Sequence, residues 1–292
     1  MSGTGAKFER FLSNIQLTKT QLDDAVTKHT GVRKTLHTAY YSEPYDGTTS
    51  ILVGSYGKNS AVRPPADIDI LFKMPSSLFK KYDASSGNGQ SQLLQDVKST
   101  LKKTYPTTDM RADGQVVGVP FSTFAVEVVP VFARSGGGYL TPDTHGGGSW
   151  KVTDPSAEMN RLTGSNSRSN GKTIHLLKMM KVWKSACKVP IKSFAIELMV
   201  VDFLATWRYW DKTSVYYDWM VRDFLAHMLQ RVNGSAVIPG TSGSLPFGDE
   251  WQTRAESALD RAKNACAHEG DQQNDELATA EWKKIFGDLF PG

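Results

Sequence analysis

Cysteine is scarce in this chain: two in 292 residues, Cys187 and Cys266, without a CxxC pair or a His/Cys partner at metal-ligand spacing. Neither a disulfide framework nor a structural zinc site is supported, and a reducing cytosol is the expected compartment. Long hydrophobic runs are missing too. The opening MSGTGAKFERF has no apolar core of signal-peptide length, and no run approaches the roughly 20 residues of a membrane span. Charge of one sign is not in large excess. The net charge is +4, and pairs such as Arg33-Lys34, Lys80-Lys81 and Lys102-Lys103 are dispersed, as on solvated faces, which argues against a nucleic-acid partner. There is no internal repeat. The Gly-rich segment SGGGYLTPDTHGGGSW (135–150) lacks the Gly-Lys-Ser/Thr of a phosphate-binding loop. It reads as a mobile loop, with His145 a solvated residue.

What is present is ordinary globular composition, 39% hydrophobic and 22% charged, on a chain long enough for one large domain or two lobes sharing a cleft. Phe8, Phe11, Leu12 and Ile15 have helical spacing. Thr18 and Gln21 then form a capping-box pattern for a second helix with Leu22, Val26, His29 and Leu36 inward, His29 as a satisfied core histidine. Leu93, Leu94, Val97 and Leu101 make another amphipathic helix. Apolar runs at Val116–Val119 and Phe124–Phe132 read as strands. After Asn166 the pattern is mainly helical, over about 168–187, 192–210, 214–231, 249–268 and 275–286, with a Gly/Ser/Pro-rich loop near 233–248. The expected division is 1–165, N-terminal helices and a mixed α/β core, and 166–292, a helical lobe.

The richest stretch is ILVGSYGKNSAVRPPADIDILF, residues 51–72. It reads as a strand (Ile51–Val53), a Gly54-Ser55 turn, and a second strand carrying Asp67 and Asp69. Strand side chains alternate, so these two carboxylates share one face while Ile68, Ile70 and Phe72 fill the other. Adjacent carboxylates repel and are tolerated cheaply when a cation lies between them. Hard oxygen ligands suit Mg²⁺, held by one or two carboxylates plus substrate phosphates. The Gly-Ser turn offers N–H groups and a hydroxyl to those phosphates. In FAVEVVPVF (124–132), Glu127 interrupts an apolar strand, at a cost of several kcal/mol unless the charge is paired, metal-bound or turned to water.

Gly54-Ser55, Asp67-x-Asp69 and a later strand with Glu127 resemble the polymerase-β-like nucleotidyltransferase superfamily. Together with the chain length, the preceding helices and the ending EWKKIFGDLFP, they are similar to the bacterial relatives of cyclic GMP-AMP synthase and oligoadenylate synthase, the CD-NTases of antiphage signalling. The resemblance implies an α+β fold: a nucleotidyltransferase palm, mixed sheet with flanking helices, and a C-terminal helical lobe, with the active site in the cleft between them. It implies that Asp67, Asp69 and Glu127 ligate two Mg²⁺ ions (Mn²⁺ being the alternative) and carry catalysis. Glu stands here where the family usually has Asp. By the same resemblance, Lys181, on the helix that carries Trp183, contacts the donor triphosphate. Ser193 supplies a hydroxyl to the phosphates and Phe194 a ring for the base. Lys181 is one of a row with Lys178, Lys184 and Lys188, which reads equally as a solvated basic face. Phe194 equally has core spacing with Leu198 and Val201; Lys178 and Lys172 rank behind Lys181. The implied activity condenses ATP and/or GTP into a cyclic di- or trinucleotide messenger that activates an effector protein. A linear product, or a protein, antibiotic or RNA acceptor, is the alternative. No His/Cys cluster of a DNA-gripping zinc ribbon is present, so no nucleic-acid activator is expected.

Overall fold

The computed structural model describes residues 3–270 and 274–292. In chain order, α1 (Gly3–Ile15) and α2 (Lys19–Tyr41) precede β1 (Ser50–Leu52), the short α3 (Gly54–Gly57) and β2 (Ile68–Lys73). Then come α4 (Phe79–Asp83), α5 (Gly89–Lys102), β3 (Arg111–Asp113), β4 (Val116–Pro120), β5 (Ala125–Ala133), β6 (Tyr139–Asp143) and β7 (Ser149–Thr153). The remainder is α6 (Pro155–Arg168), α7 (Lys172–Ala186), α8 (Ser193–Thr206), α9 (Tyr217–Leu229), the hairpin β8 (Ser235–Val237)/β9 (Ser244–Pro246), α10 (Gln252–Gly270) and α11 (Asp275–Phe286). No helix among the described residues is long and apolar enough to cross a membrane.

Backbone contacts divide the chain into two compact units, Leu17–Ala157 and Met1–Gln16 with Glu158–Gly292. The first unit is a seven-stranded mixed sheet, order β1-β2-β5-β4-β3, with β6 and β7 continuing from β5. β2 and β5 run parallel, Ile68 to Lys73 against Val126 to Val131, and every other pairing is antiparallel. One face of the sheet is dry: Ile68, Ile70, Val126, Val128, Val117 and Val119 bury against α2 and α5. The α5 stripe Leu93, Leu94, Val97 and Leu101 is wholly buried, as its spacing predicts.

Helix α2 starts on the capping box, with Gln21 N–H donating to Thr18 Oγ1 at 3.2 Å and Thr18 N–H to Gln21 Oε1 at 2.9 Å. Its buried stripe is Ala25, His29, Val32 and Leu36. Leu22 and Val26 are not inward, being 45% and 55% exposed. Val26 lies about 100° round the helix from Ala25 and about 60° from His29, whereas Leu22 sits in the first turn, ahead of the first buried residue of the stripe, Ala25. His29 is buried, but its Nδ1 has no hydrogen-bond partner, so it is a core histidine without the expected satisfaction.

The segment 135–150 is a further correction. It contains β6 and the first residues of β7, paired from Tyr139↔Thr153 to Asp143↔Ser149. The glycines mark the turns around these strands, Gly137 and Gly138 before and Gly146–Gly148 between, all at positive φ. His145 is exposed, yet its ring pairs with Asp143 at 2.7 Å. Likewise, 233–248 carries the β8/β9 hairpin, and helix begins at Pro155, earlier than the pattern after Asn166 indicates.

The second unit is helical and closes on aromatic residues from both ends of the chain. Phe8 sits 5.1 Å from Trp282 and 5.2 Å from Phe290, and Phe11 4.7 Å from Phe286, ring centre to ring centre. This packing draws α1 into the helical unit, whereas the sequence division at 165 groups it with the α/β core. Phe8→Ala should therefore cost about 3–5 kcal/mol in urea unfolding, and Leu22→Gln less than about 0.5 kcal/mol. Equal costs at the two positions would contradict this packing.

Candidate active site

Parallel pairing of β2 with β5 sets Asp69 directly opposite Glu127. Paired residues on adjacent strands point to the same side, and Asp67, two residues before Asp69, joins them on the face opposite the buried Ile68, Ile70, Val126 and Val128. Asp67 lies just ahead of β2 rather than inside it, and it is anchored. Its Oδ1 accepts the Ala125 N–H at 2.7 Å, a charge-assisted bond that holds the carboxylate at the mouth of β5. On the far side of β5, the residue opposite Glu127 is Gly118, which adds no side chain to this face.

The Gly54-Ser55 turn is the first turn of α3. It stays against the strand pair because Val53 N–H donates to Asp69 O at 2.9 Å. Gly54 has φ +58, and a Cβ there would run into the Asp69 carboxylate. Both the left-handed backbone and the close approach therefore demand glycine. Gly57, which composition alone does not single out, is needed for a related reason: a Cβ there would strike the Leu52 carbonyl. Ser55 follows Gly54, and the Tyr56 hydroxyl is buried with no hydrogen-bond partner. Burial, then the charges of Asp24 and Asp67, push that phenol above its ordinary value.

Glu127 is half-buried, and burial pushes its carboxyl above the usual range, with the charges of Asp69 and Asp67 adding in the same direction. The three acidic groups thus act on one another electrostatically. No three His, Cys, Asp or Glu side chains among the described residues stand ready to close round one ion. With Asp67 holding one oxygen on a backbone N–H, the set offers hard oxygens one or two at a time. That donor chemistry fits a divalent cation whose shell is completed by water and phosphate.

The other expected residues lie in the helical unit. Lys181 is partly buried on α7; Ser193 and Phe194 open α8. Phe194 keeps partial exposure while Leu198 and Val201 are buried at 1% and 6%. Ser193 Oγ accepts from Lys184 Nζ at 3.2 Å, a contact that the row of lysines did not reveal because it joins two helices. Lys178 is half-buried and its ammonium is shifted down by burial. Lys172 is buried at 3% exposure and donates to the Ser169 carbonyl at 3.3 Å, which turns it inward. Lys188 falls beyond the end of α7, in a left-handed conformation (φ +48), and leaves the helical row.

A mixed sheet carrying Asp69 opposite Glu127, with Asp67 at its edge and a Gly-Ser turn beside them, followed by a helical lobe, has the polymerase-β-like nucleotidyltransferase fold. Residues 1–166 match the family described as Second Messenger Oligonucleotide or Dinucleotide Synthetase (SMODS) domain. The chain belongs to this family and is an enzyme of the CD-NTase class. Among curated proteins it is similar to a cyclic AMP-AMP-AMP synthase of an Acinetobacter species, 27% identical over 320 aligned residues that span 99% of this chain and 85% of the relative. Among solved structures it shares its fold with Escherichia coli DncV in a form bound to 3′-deoxy GTP (TM-score 0.74, 15% identity, 96% and 94% of the two chains). It also shares the fold of CdnC of Escherichia coli MS115-1 with ATP (TM-score 0.71, 19% identity, 99% of both chains).

Two outcomes follow from the geometry. Gly54→Ala should displace the Asp69 carboxylate and lower nucleotide-dependent pyrophosphate release by about a hundredfold, with the circular dichroism spectrum retained. Unchanged release would mean that Asp69 does not need its place over Gly54. The second outcome concerns pH. With the folded pKa of Glu127 above its unfolded value, the folded protein binds the extra proton between the two, so stability falls as pH rises through that window. Metal-free Glu127→Gln should melt higher than the parent at mildly alkaline pH and alike below the ordinary glutamate range. A variant that melts lower at alkaline pH would show that ionised Glu127 is not under electrostatic strain.

Proposed function

We propose that this enzyme condenses ATP and/or GTP, with Mg²⁺, into a cyclic di- or trinucleotide that signals to an effector protein in antiphage defence. The observation that carries the reading is the register of β2 on β5, which puts Asp69 opposite Glu127 with Asp67 beside them. Two Mg²⁺ ions, when bound, would supply a lowered pKa at the acceptor ribose hydroxyl and positive charge to offset that of the departing pyrophosphate. Asp67, Asp69 and Glu127 would hold these ions.

Glu127 also takes the acceptor proton, a role helped by a carboxyl whose basicity is raised. The acceptor oxygen then bonds to the donor α-phosphorus as the bond from that phosphorus to the bridging oxygen breaks, and pyrophosphate leaves. Gly54 and Ser55 cradle the donor phosphates. Lys181 and Ser193 grip the triphosphate, and Phe194 stacks on the donor base. A second transfer within the linear intermediate closes the ring. The cyclic AMP-AMP-AMP synthase among the relatives supports a ring built from adenosine units. The low net charge supports control by something other than nucleic acid, and the scarcity of cysteine supports a cytoplasmic setting.

Purified protein incubated with Mg²⁺ and radiolabelled ATP, GTP, CTP and UTP, singly and mixed, then treated with phosphatase, should yield a resistant product. Asp67→Ala/Asp69→Ala should abolish it, since these charges are the site's electrostatic clamp. Products that phosphatase digests completely would replace ring closure with linear synthesis. A product surviving in the double variant would remove the aspartates from catalysis.

A further inference from the structure

Outside the carboxylate face, the helical unit holds a cavity of about 420 Å³ where the end of α7 meets α10 and α11. Its rim carries Lys188, Arg254, Arg261 and Lys284, and Trp183 and Ile285 contribute apolar wall. Arg261 and Lys284 share one carboxylate, Glu281, at 3.2 and 2.6 Å. Lys188 and Arg254 make no ion pair or side-chain hydrogen bond with any described residue. Four cations therefore face one concave surface against one acid, an arrangement that repels itself unless an anion enters.

Basic residues near the end of a helix also occur simply because they complement its dipole, and that alone would explain Lys188. It does not explain Trp183. This residue is wholly buried, lines the cavity, and its Nε1–H has no hydrogen-bond acceptor. Buried donors are normally paired, and an orphan at the wall of a cationic cavity is a donor waiting for an acceptor from outside. The volume lies within the range of small-ligand pockets. Two free cations, one of them a guanidinium able to bind two oxygens at once, match the geometry of a phosphate group.

We propose that the cavity bounded by Trp183, Lys188, Arg254, Arg261 and Lys284 binds the phosphate group of a small ligand. The site uses none of the residues assigned to nucleotidyl transfer, so its occupancy is a separate property of the enzyme. The Arg254 guanidinium is the exposed donor that reads the ligand, and the Trp183 indole lies in the wall behind it.

The test uses the full chain, with ¹⁵N-labelled tryptophan and the Trp183 indole resonance assigned through Trp183→Phe. Chelator and the Asp67→Ala/Asp69→Ala background suppress metal-dependent nucleotide binding. Inorganic pyrophosphate, adenosine monophosphate and a Glu-rich peptide are titrated at constant ionic strength. A saturable shift of the Trp183 signal with pyrophosphate or the monophosphate is expected, and whichever acts names the phosphate form recognised. Arg254→Glu, an exposed position, should weaken it about tenfold. A signal that stays still, moves equally in Arg254→Glu, or answers only to the peptide would overturn the proposal.

Discussion

Repulsion between carboxylates is the constraint around which the α/β unit is built. Asp69 and Glu127 are brought face to face by a parallel strand pair, with Asp67 one step away. A parallel neighbour cannot be reached by a tight turn, so the chain leaves β2, forms α4, α5, β3 and β4, and only then returns as β5. The same excursion delivers α5 to the back of the sheet. Its buried leucines, with Ala25, Val32 and Leu36 of α2, pack behind the strands that carry the charge. Even the Gly-Ser turn answers to this constraint, because its glycine makes way for a carboxylate.

The division between the two units follows from packing rather than order along the chain. α1 precedes the α/β unit by a few residues, yet Phe8 and Phe11 complete an aromatic cluster with residues at the opposite terminus. Helical periodicity shows that such residues face inward but not against which neighbour. For the same reason, Leu22 and Val26 look like core from spacing alone although both stay exposed.

The acidic constellation was legible because strand alternation and charge repulsion are local rules: residues two apart share a face, and like charges need a counter-ion. Its third member was legible as an anomaly, a glutamate between apolar neighbours. What could not be read was the register that sets Glu127 against Asp69 rather than elsewhere along β2, since register is a property of two distant segments. Nor could the Ala125 N–H that anchors Asp67, or the Lys184–Ser193 contact between α7 and α8. The strands β6 and β7 were hidden by composition. Glycines crowd their turns, and the short paired runs between them carry too few apolar residues to display a period.

The β2–β5 pairing joins residues 58 positions apart. Loop closure over that span loses chain entropy before any hydrogen bond forms, and pairings of this kind mature late in folding. The acidic trio therefore does not exist in early, locally structured ensembles, where Asp69 and Glu127 are independent and well hydrated. Their encounter adds an electrostatic barrier at the moment the sheet closes. An acidic medium, or a cation lying between the two carboxylates, would flatten that barrier.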